Sequence, residues 1–316
     1  DLSSAGVYTY VEVANGAGVP AVTALHMRVA KVVSGASTLG TITMLKAPVT
    51  SYGTGSGANI YGTGNTLLGK ALAPIATTAY GNTIVGDTQC AALSTGYENV
   101  VIGAATPVLN TGYNNVVIGK GSGAALTTSQ YNVLIGYEAG ADNSTILNGI
   151  VAIGYSAARH STGTSVTAIG QAAGQANTTG HRWTAIGDGA SSTVTASDWT
   201  AVGSAATTGT QGVSIGSYAG YNTTGAGNIS IGYNAGRTSA SDAFSAEAIS
   251  IGLAASYQSV RGTGSIAIGT RAGSGTVANH KSTSDSYAIY IGWEASRSST
   301  IPTATALDNV IAIGTG

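Results

Sequence analysis

Seven aromatic and charged residues between positions 154 and 203 have the types and spacing of a binding surface. They are Arg159, His160, His181, Arg182, Trp183, Asp198 and Trp199. Trp183 and Trp199 each precede a glycine by four residues, so in a stack of repeats one ring would lie above the other. Aromatic rings flanked by charged and polar groups suit the faces and hydroxyls of sugar rings. The group predicts a glycan-binding platform, and packing of the rings against a neighbouring subunit is the alternative.

A second set of aromatic residues comes directly after glycines of the same kind. Tyr137, Tyr155, Tyr233 and Trp293 follow the glycine at once, and Tyr218 follows one position later. We expect these rings to be exposed just beyond a turn, where they could contact a receptor or glycan. Ordinary packing of aromatic rings on the surface is the alternative.

Residue patterns that indicate catalysis are sparse. The four histidines, His26, His160, His181 and His280, lack the spacing of a metal site, and neither a nucleophile elbow nor a phosphate-binding loop is found. The acidic residues of the array that could serve glycoside hydrolysis are Glu138, Asp188, Asp198, Glu247 and Glu294. The sequence predicts no catalytic residues, no metal and no cofactor. It leaves open a polysaccharide hydrolase, or a lyase that uses His160 or His181 with a tyrosine.

These residues are carried by a repeated phrase. NVLIGYEAG (132–140) returns as NVVIGKGSG (115–123), NISIGYNAG (228–236) and SIAIGTRAG (265–273). The glycine after the apolar residues recurs at intervals of 13 to 23 residues, mostly 16 or 17, at Gly69, Gly86, Gly103, Gly119, Gly136, Gly154, Gly170, Gly187, Gly203, Gly216, Gly232, Gly252, Gly269, Gly292 and Gly314. A short unit cannot bury its own apolar face and must stack on its copies. The pattern predicts an all-β solenoid of about fifteen coils over residues 65–316.

Each position of the phrase predicts a role. The residues one and three before the glycine are mostly Ile, Val or Leu and alternate as one face of a strand, so we expect them to form the core. The small residue between them, and Trp183 and Trp199, would then face away. The alanine three after the glycine predicts a tight inner corner. The asparagine four before it predicts a stack of hydrogen-bonded amides along the coil axis.

Residues 1–64 lie outside the clear array and predict a small N-terminal β cap or an upstream shaft segment. Val7 to Val13 alternate as a half-buried strand does, and Ser51 to Gly64 form a glycine-rich connector. Terminal units of a solenoid are commonly atypical because one face has no neighbour.

Composition excludes several classes of protein. With 43% hydrophobic and 8% charged residues, the chain does not have the composition of a disordered segment. No apolar run approaches 18 residues, so no membrane-spanning helix and no membrane insertion are predicted. The net charge of −1 lacks the basic excess that nucleic-acid binding requires. The single Cys90 excludes an internal disulfide framework.

The number of apolar strands suggests that one chain is not enough. Each coil has one strongly apolar strand, whereas a three-sided helix needs one for each wall. Other copies of the chain could supply the missing walls and close the sheet edges. We therefore predict an intertwined homotrimer, as a β-roll or triple-stranded β-helix. A monomeric two-sided roll is the alternative.

The phrases SIAIGTRAG, NISIGYNAG and IVAIGYSAA (150–158) resemble the head repeats of trimeric autotransporter adhesins, whose motif is SIAIGxxAxA. They also resemble the distal repeats of trimeric bacteriophage tail fibres and tailspikes. The resemblance covers about residues 65–316. It implies a trimeric β-roll or triple-stranded β-helix and attachment to a cell surface.

Two departures favour the phage fibre. The repeats here are longer than those of adhesin heads, and IAIGTG (311–316) is not followed by the heptads that adhesin heads lead into. The resemblance then implies a receptor-binding part of a virion tail fibre, whose partner is a bacterial surface polysaccharide or outer-membrane protein. The alternatives are an adhesin head on a bacterial surface, binding host extracellular matrix, and a tailspike depolymerase.

Overall fold

The computed structural model of the chain is a β-solenoid, and the described residues of each coil contain one strand. The structure describes residues 50–52, 62–70, 78–87, 93–104, 110–142, 148–192, 197–223, 225–238, 246–258, 263–274, 286–295 and 309–315. The predicted strand at Val7 to Val13 lies outside these residues. In the part that is described the structure contains no helix, and hence none that is long and apolar enough to cross a membrane. The all-β solenoid predicted from the repeats is therefore confirmed.

Among the described residues, sixteen short strands form a single parallel sheet in which sequence order is also spatial order. The strands are β1 (Thr50–Tyr52), β2 (Thr66–Lys70), β3 (Thr83–Asp87), β4 (Val100–Ala104), β5 (Val116–Ile118), β6 (Val133–Ile135), β7 (Ile150–Ile153), β8 (Val166–Ile169), β9 (Trp183–Ile186), β10 (Thr200–Val202), β11 (Val213–Ile215), β12 (Ile229–Ile231), β13 (Ile249–Ile251), β14 (Ile266–Ile268), β15 (Ile289–Ile291) and β16 (Ile311–Ile313). β1 pairs with β2. The sheet therefore begins one strand earlier in the chain than residue 65, where the array was predicted to begin.

The pairing register follows the repeat phrase whatever the length of the coil. Thr200 pairs with Val213 across the shortest interval of 13 residues, and Ile266 pairs with Ile289 across the longest of 23. Extra residues therefore fall between strands and leave the stack of phrases intact. As a result, residues at the same position of the phrase form columns along the rod.

The two faces of the sheet are the reverse of the prediction. The residue two before the glycine is buried, as at Leu134, Ala168 and Ala201, and so is the residue four before it. The residues one and three before it point outward and remain partly accessible; Ile215, for example, is 41% exposed. We call these outward residues of β2–β16 the isoleucine face.

The narrow interior of each coil explains this reversal. The opposite wall is the turn after the glycine, where alanines such as Ala157 and Ala173 have no accessible surface. A second backbone ladder joins these turns, since Gly140 N donates to Ala157 O at 2.9 Å and Gly174 N to Ala190 O at 2.8 Å. The predicted inner corner is thus confirmed. The small residues in the strands let the two walls approach, and the core closes within one chain.

A column of buried asparagines occupies the interior of the first coils. The side-chain amide of Asn82 donates to Asn65 Oδ1 at 3.0 Å, and Asn99, Asn115 and Asn132 repeat this bond at 2.9 to 3.0 Å. At the end of the column Asn132 Oδ1 accepts from Ile150 N at 3.0 Å. These bonds satisfy polar groups that would otherwise be costly to bury. The predicted amide stack is confirmed.

Candidate functional site

The clearest candidate site begins with two tyrosines on neighbouring coils. Tyr137 and Tyr155 each follow the glycine that ends a strand, β6 and β7 respectively. The stacked glycines align the residues after them, so the two rings lie 5.2 Å apart between centroids and within 8° of parallel. Tyr137 remains 41% and Tyr155 55% exposed, which leaves ring surface for a ligand.

Charged side chains from the same two coils adjoin this pair. Arg159 Nη1 lies 2.8 Å from Glu138 Oε2, and its Nε donates to Asp142 Oδ2 at 2.9 Å. His160 Nδ1 lies 3.0 Å from the same oxygen of Asp142. A hydrogen bond to the Glu138 carboxylate raises the pKa of the Tyr137 phenol above its ordinary value. The Tyr137 hydroxyl is thus tied to the Glu138 carboxylate, and its ring face remains open.

We call Tyr137, Glu138, Asp142, Tyr155, Arg159 and His160 the tyrosine patch. It joins four residues that the sequence assigned to two separate groups. The exposed rings offer apolar contact, and the partly exposed charged network offers hydrogen-bond donors and acceptors. That combination suits a sugar ring, which has apolar C–H faces and a rim of hydroxyls.

The predicted platform of Trp183 and Trp199 lies inside the coil, which is a correction. The two indoles stack at 4.9 Å between ring centroids, as the spacing predicted, but they are only 1% and 2% exposed. Both occupy the column of the buried asparagines, four before the glycine. A Cβ on Gly174 would lie 2.3 Å from the Trp183 ring, so this glycine provides space for the indole. No ligand can reach the rings while the coil is closed.

The charged neighbours of these tryptophans lie on the outside and tie adjacent coils together. Arg182 donates to Asp198 through Nε to Oδ1 at 2.6 Å and through Nη2 to Oδ2 at 2.9 Å. This pairing lowers the pKa of Asp198 below its ordinary value. His181 Nδ1 accepts from the backbone N–H of Thr164 at 3.0 Å. The three side chains thus form links between coils beside the buried indoles.

The carboxylates that were candidates for glycoside hydrolysis are engaged with arginines at three of five positions. Glu138 pairs with Arg159, Asp198 with Arg182, and Glu294 with Arg271, each at 3.0 Å or less. A general acid needs a raised pKa. The pKa of Asp198 is lowered by its contact with Arg182, which is the opposite of what a general acid requires.

The remaining predicted residues are spread along the rod. Tyr233 and Trp293 are 54% and 57% exposed in the same column as the tyrosine patch. They follow β12 and β15, and five coils separate Tyr233 from Tyr155, which is about 24 Å. Tyr218 lies in a different cluster, where the Arg237 guanidinium is 4.9 Å from its ring centroid.

Sequence reasoning missed two aromatic columns that the repeat register could have revealed. Tyr80, Tyr97 and Tyr113 each stand six before the glycine, and their rings stack at 4.8 and 4.7 Å between centroids. Tyr221 and Tyr257 stand five after the glycine with Arg237 between them at the same position. Aligning the coils by their glycines would have shown both columns.

Comparison of the chain with models of protein families, with curated proteins and with solved structures gives no match.

Proposed function

We propose that the chain is the receptor-binding rod of a bacteriophage tail fibre, which attaches to a polysaccharide or an outer-membrane protein of the bacterial surface. The observation that carries this proposal is the tyrosine patch on the side of the rod. Its two stacked, half-exposed rings lie against a network of Arg159, His160 and two carboxylates. The resemblance of the repeats to tail fibres supplies the biological context.

A homotrimer is part of the same proposal. The isoleucine face runs the length of the sheet, about 70 Å for sixteen strands about 4.8 Å apart. Two side chains wide, it presents roughly 700 Å² of apolar surface. Soluble monomers rarely expose a contiguous apolar patch of more than a few hundred Å². A second and a third copy of the chain would cover this face, and the resemblance suggests the number three.

The closed interior of each coil favours three self-contained rolls that pack through their sheet faces. Because buried alanines and strand residues already complete a core in one chain, no strand from another copy is needed inside it. Packing of three copies around a threefold axis would bury the isoleucine faces between the copies. The turns that carry the tyrosine patch would stay on the outside of the trimer. Three copies of a weak sugar site would then act together through avidity.

Binding of labelled protein to a panel of bacterial strains, beside immobilised collagen and fibronectin, tests the proposal. We expect strain-restricted binding that is lost when the surface receptor is altered. Binding to the matrix proteins without preference for bacteria would overturn the proposal in favour of an adhesin head. Release of new reducing ends from the bound polysaccharide would instead indicate a depolymerase.

Substitution of Tyr155 by serine locates the binding surface. We expect Tyr155→Ser to weaken cell binding by tenfold or more, which corresponds to about 1.4 kcal/mol in the overall free energy of binding. Tyr233→Ser is the matched control, because Tyr233 has the same position in its coil and nearly the same exposure but lies five coils away. Equal effects of the two substitutions would count against the tyrosine patch.

A further inference from the structure

Arg237 differs from the other arginines that the structure describes. Arg159, Arg182 and Arg271 each have a carboxylate oxygen within 3.0 Å. Among the described residues Arg237 has none, and its Nη1 donates to the amide oxygen of Asn234 at 3.1 Å. The contrast is sharpest with Arg159, which has the same position in its coil and contacts two carboxylates.

Three tyrosines hold the Arg237 guanidinium by contacts with their rings. Its central carbon lies 4.9 Å from the ring centroid of Tyr218, 5.6 Å from that of Tyr221 and 5.9 Å from that of Tyr257. These distances are within the range of cation–π attraction. Tyr221 and Tyr257 come from the coils on either side of Arg237 and stand at the same repeat position, so the guanidinium lies between two rings of one column.

This arrangement orients the guanidinium but does not neutralise it. A ring attracts a cation through its quadrupole and leaves the formal charge in place. A guanidinium has several N–H donors in a fixed fork, and the described structure uses one of them, toward Asn234. The remaining donors suit an oxyanion, which arginine binds through two parallel hydrogen bonds.

Polar groups that could contact the rest of a sugar surround the cluster. Gln258 is exposed, and its amide donates to the Tyr257 hydroxyl at 3.3 Å. Asn222, also exposed, donates to Thr238 O at 3.3 Å. Arg237 itself is partly exposed, as are the three tyrosines. The cluster is thus a cation between aromatic rings with amide side chains at its margin.

We infer that Arg237, with Tyr218, Tyr221 and Tyr257, binds an oxyanion carried by a surface glycan, either the carboxylate of an acidic sugar or a sugar phosphate. The inference rests on the proposed attachment function and names the chemical class of receptor: an anionic polysaccharide. Arg237 pairs with the anion, while the tyrosine rings position the guanidinium and contact the sugar ring. In the tyrosine patch, Arg159 is already paired with carboxylates. This patch would therefore contact neutral sugars of the same polysaccharide.

Ligand-observed NMR with three related probes tests this inference on the whole protein. Saturation transfer to glucuronate, to glucose 6-phosphate and to glucose is compared at equal concentration. We expect at least a fivefold stronger signal for one of the two anionic sugars than for glucose, and the stronger of the two identifies the source of the oxyanion. Equal signals for all three probes would overturn the inference without any variant.

Two variants assign the anion to this cluster. Arg237→Gln should reduce the signal of the anionic probe to that of glucose, and Arg237→Lys should recover part of it by restoring the charge without the fork. Arg271→Gln is the control, since Arg271 is an exposed arginine that is already paired with Glu294. An anion signal that survives in Arg237→Gln, with an unchanged melting temperature, would also overturn the inference.

Binding to whole cells separates this inference from the proposed function. If the protein binds bacteria and Arg237→Gln binds them equally well, the attachment function stands and the anion site is wrong. If the protein binds no bacterium but Arg237 is needed for the anionic probe, the anion site stands and the attachment function is wrong.

Discussion

At the scale of single residues, Gly154 shows why the repeat phrase needs glycine. Its φ is +136°, a backbone conformation that other residues rarely adopt, and a Cβ there would lie 2.5 Å from the carbonyl oxygen of Gly170 in the next coil. Glycine is thus required at this position for two separate reasons: the backbone conformation and the close approach of the next coil. The same geometry recurs at the glycines of successive coils and lets their backbones stack.

Gly154→Ala should therefore destabilise the rod more than a conformational penalty alone. We expect a loss of about 3 kcal/mol or more in the free energy of unfolding, from backbone strain together with displacement of the next coil. Denaturant unfolding measures the loss. Gly189→Ala is the control, because Gly189 has a φ of +62° but no atom within 4 Å of an added Cβ, and we expect about 1 kcal/mol there. Equal losses would contradict the role of close approach.

The exposed pair of Arg182 and Asp198 predicts a small pH dependence of stability. Asp198 has a folded-state pKa below its ordinary value of 3.8 because Arg182 stabilises the carboxylate. Its contribution is therefore present above the unfolded pKa and is lost as the pH falls through the folded pKa. Asp198→Asn should lower the melting temperature at pH 7, and the difference from the native chain should shrink as the pH falls below 3.8. A difference that does not change with falling pH would show that the side chain acts through packing.

At the scale of the strand, alternation separates two faces but does not say which is inside. The repeat fixed the glycine columns, the alanine corner and the asparagine stack, because stacked coils need the same backbone at the same position. Large aliphatic residues normally form a core, so the strand was predicted with its faces reversed. The missing information was the width of the coil, which is set by how closely the alanine turn approaches the strand. That distance depends on contacts between residues such as Ala168 and Ala173, which a sequence pattern does not contain.

The same reversal explains which candidate residues are exposed as the sequence predicted and which are buried. Tyr137 and Tyr155 were predicted as exposed because they follow a turn, and the turn is fixed by glycine. Trp183 and Trp199 were predicted as exposed because they share alternation with Ala185 and Ala201, and this whole face proved to be interior. The clustering of Arg159 and His160 with the tyrosines depends on contacts between coils. It could be predicted only once the turn after the glycine was known.

The buried tryptophans give a direct optical test of which strand face is interior. Only three tryptophans occur, and Trp293 is 57% exposed while Trp183 and Trp199 are buried. Trp293→Phe should leave a blue-shifted emission that acrylamide quenches weakly. In contrast, Trp183→Phe should leave the readily quenched component of Trp293. Strong quenching of the Trp293→Phe variant would contradict the buried stack.

Truncation of Trp183 tests the same assignment by stability. Loss of a buried indole leaves a cavity in the coil, and we expect Trp183→Ala to lower the free energy of unfolding by about 3 to 5 kcal/mol. At an exposed site the change would be within about 0.5 kcal/mol. Trp293→Ala is the matched control for a tryptophan outside the coil.

At the scale of the whole molecule, the isoleucine face and the columns of turns give the rod two surfaces of different composition. The outward sheet positions are almost all Ile, Val or Leu one before the glycine, and Ile, Val or Thr three before it. Such a continuous and mostly aliphatic surface is what the proposed packing against copies of the chain requires. The turns carry tyrosines and charged residues that differ between coils, which is the variation that the proposed recognition of a ligand requires. A repeat that stacks on a fixed backbone allows both, because the turn side chains vary without altering the register of the strands.

The mass of the particle in solution decides whether the isoleucine face associates as proposed. We expect three times the 30.9 kDa of one chain by light scattering or sedimentation equilibrium. Ile215→Glu with Ile231→Glu, both on outward positions of neighbouring strands, should yield single chains that retain the circular dichroism of a β-solenoid, because a buried charge would oppose association. Leu253→Glu is the control, since Leu253 is an exposed apolar residue that directly follows Gly252 after β13 and lies off the sheet face. A native mass of one chain or of two would contradict the trimer.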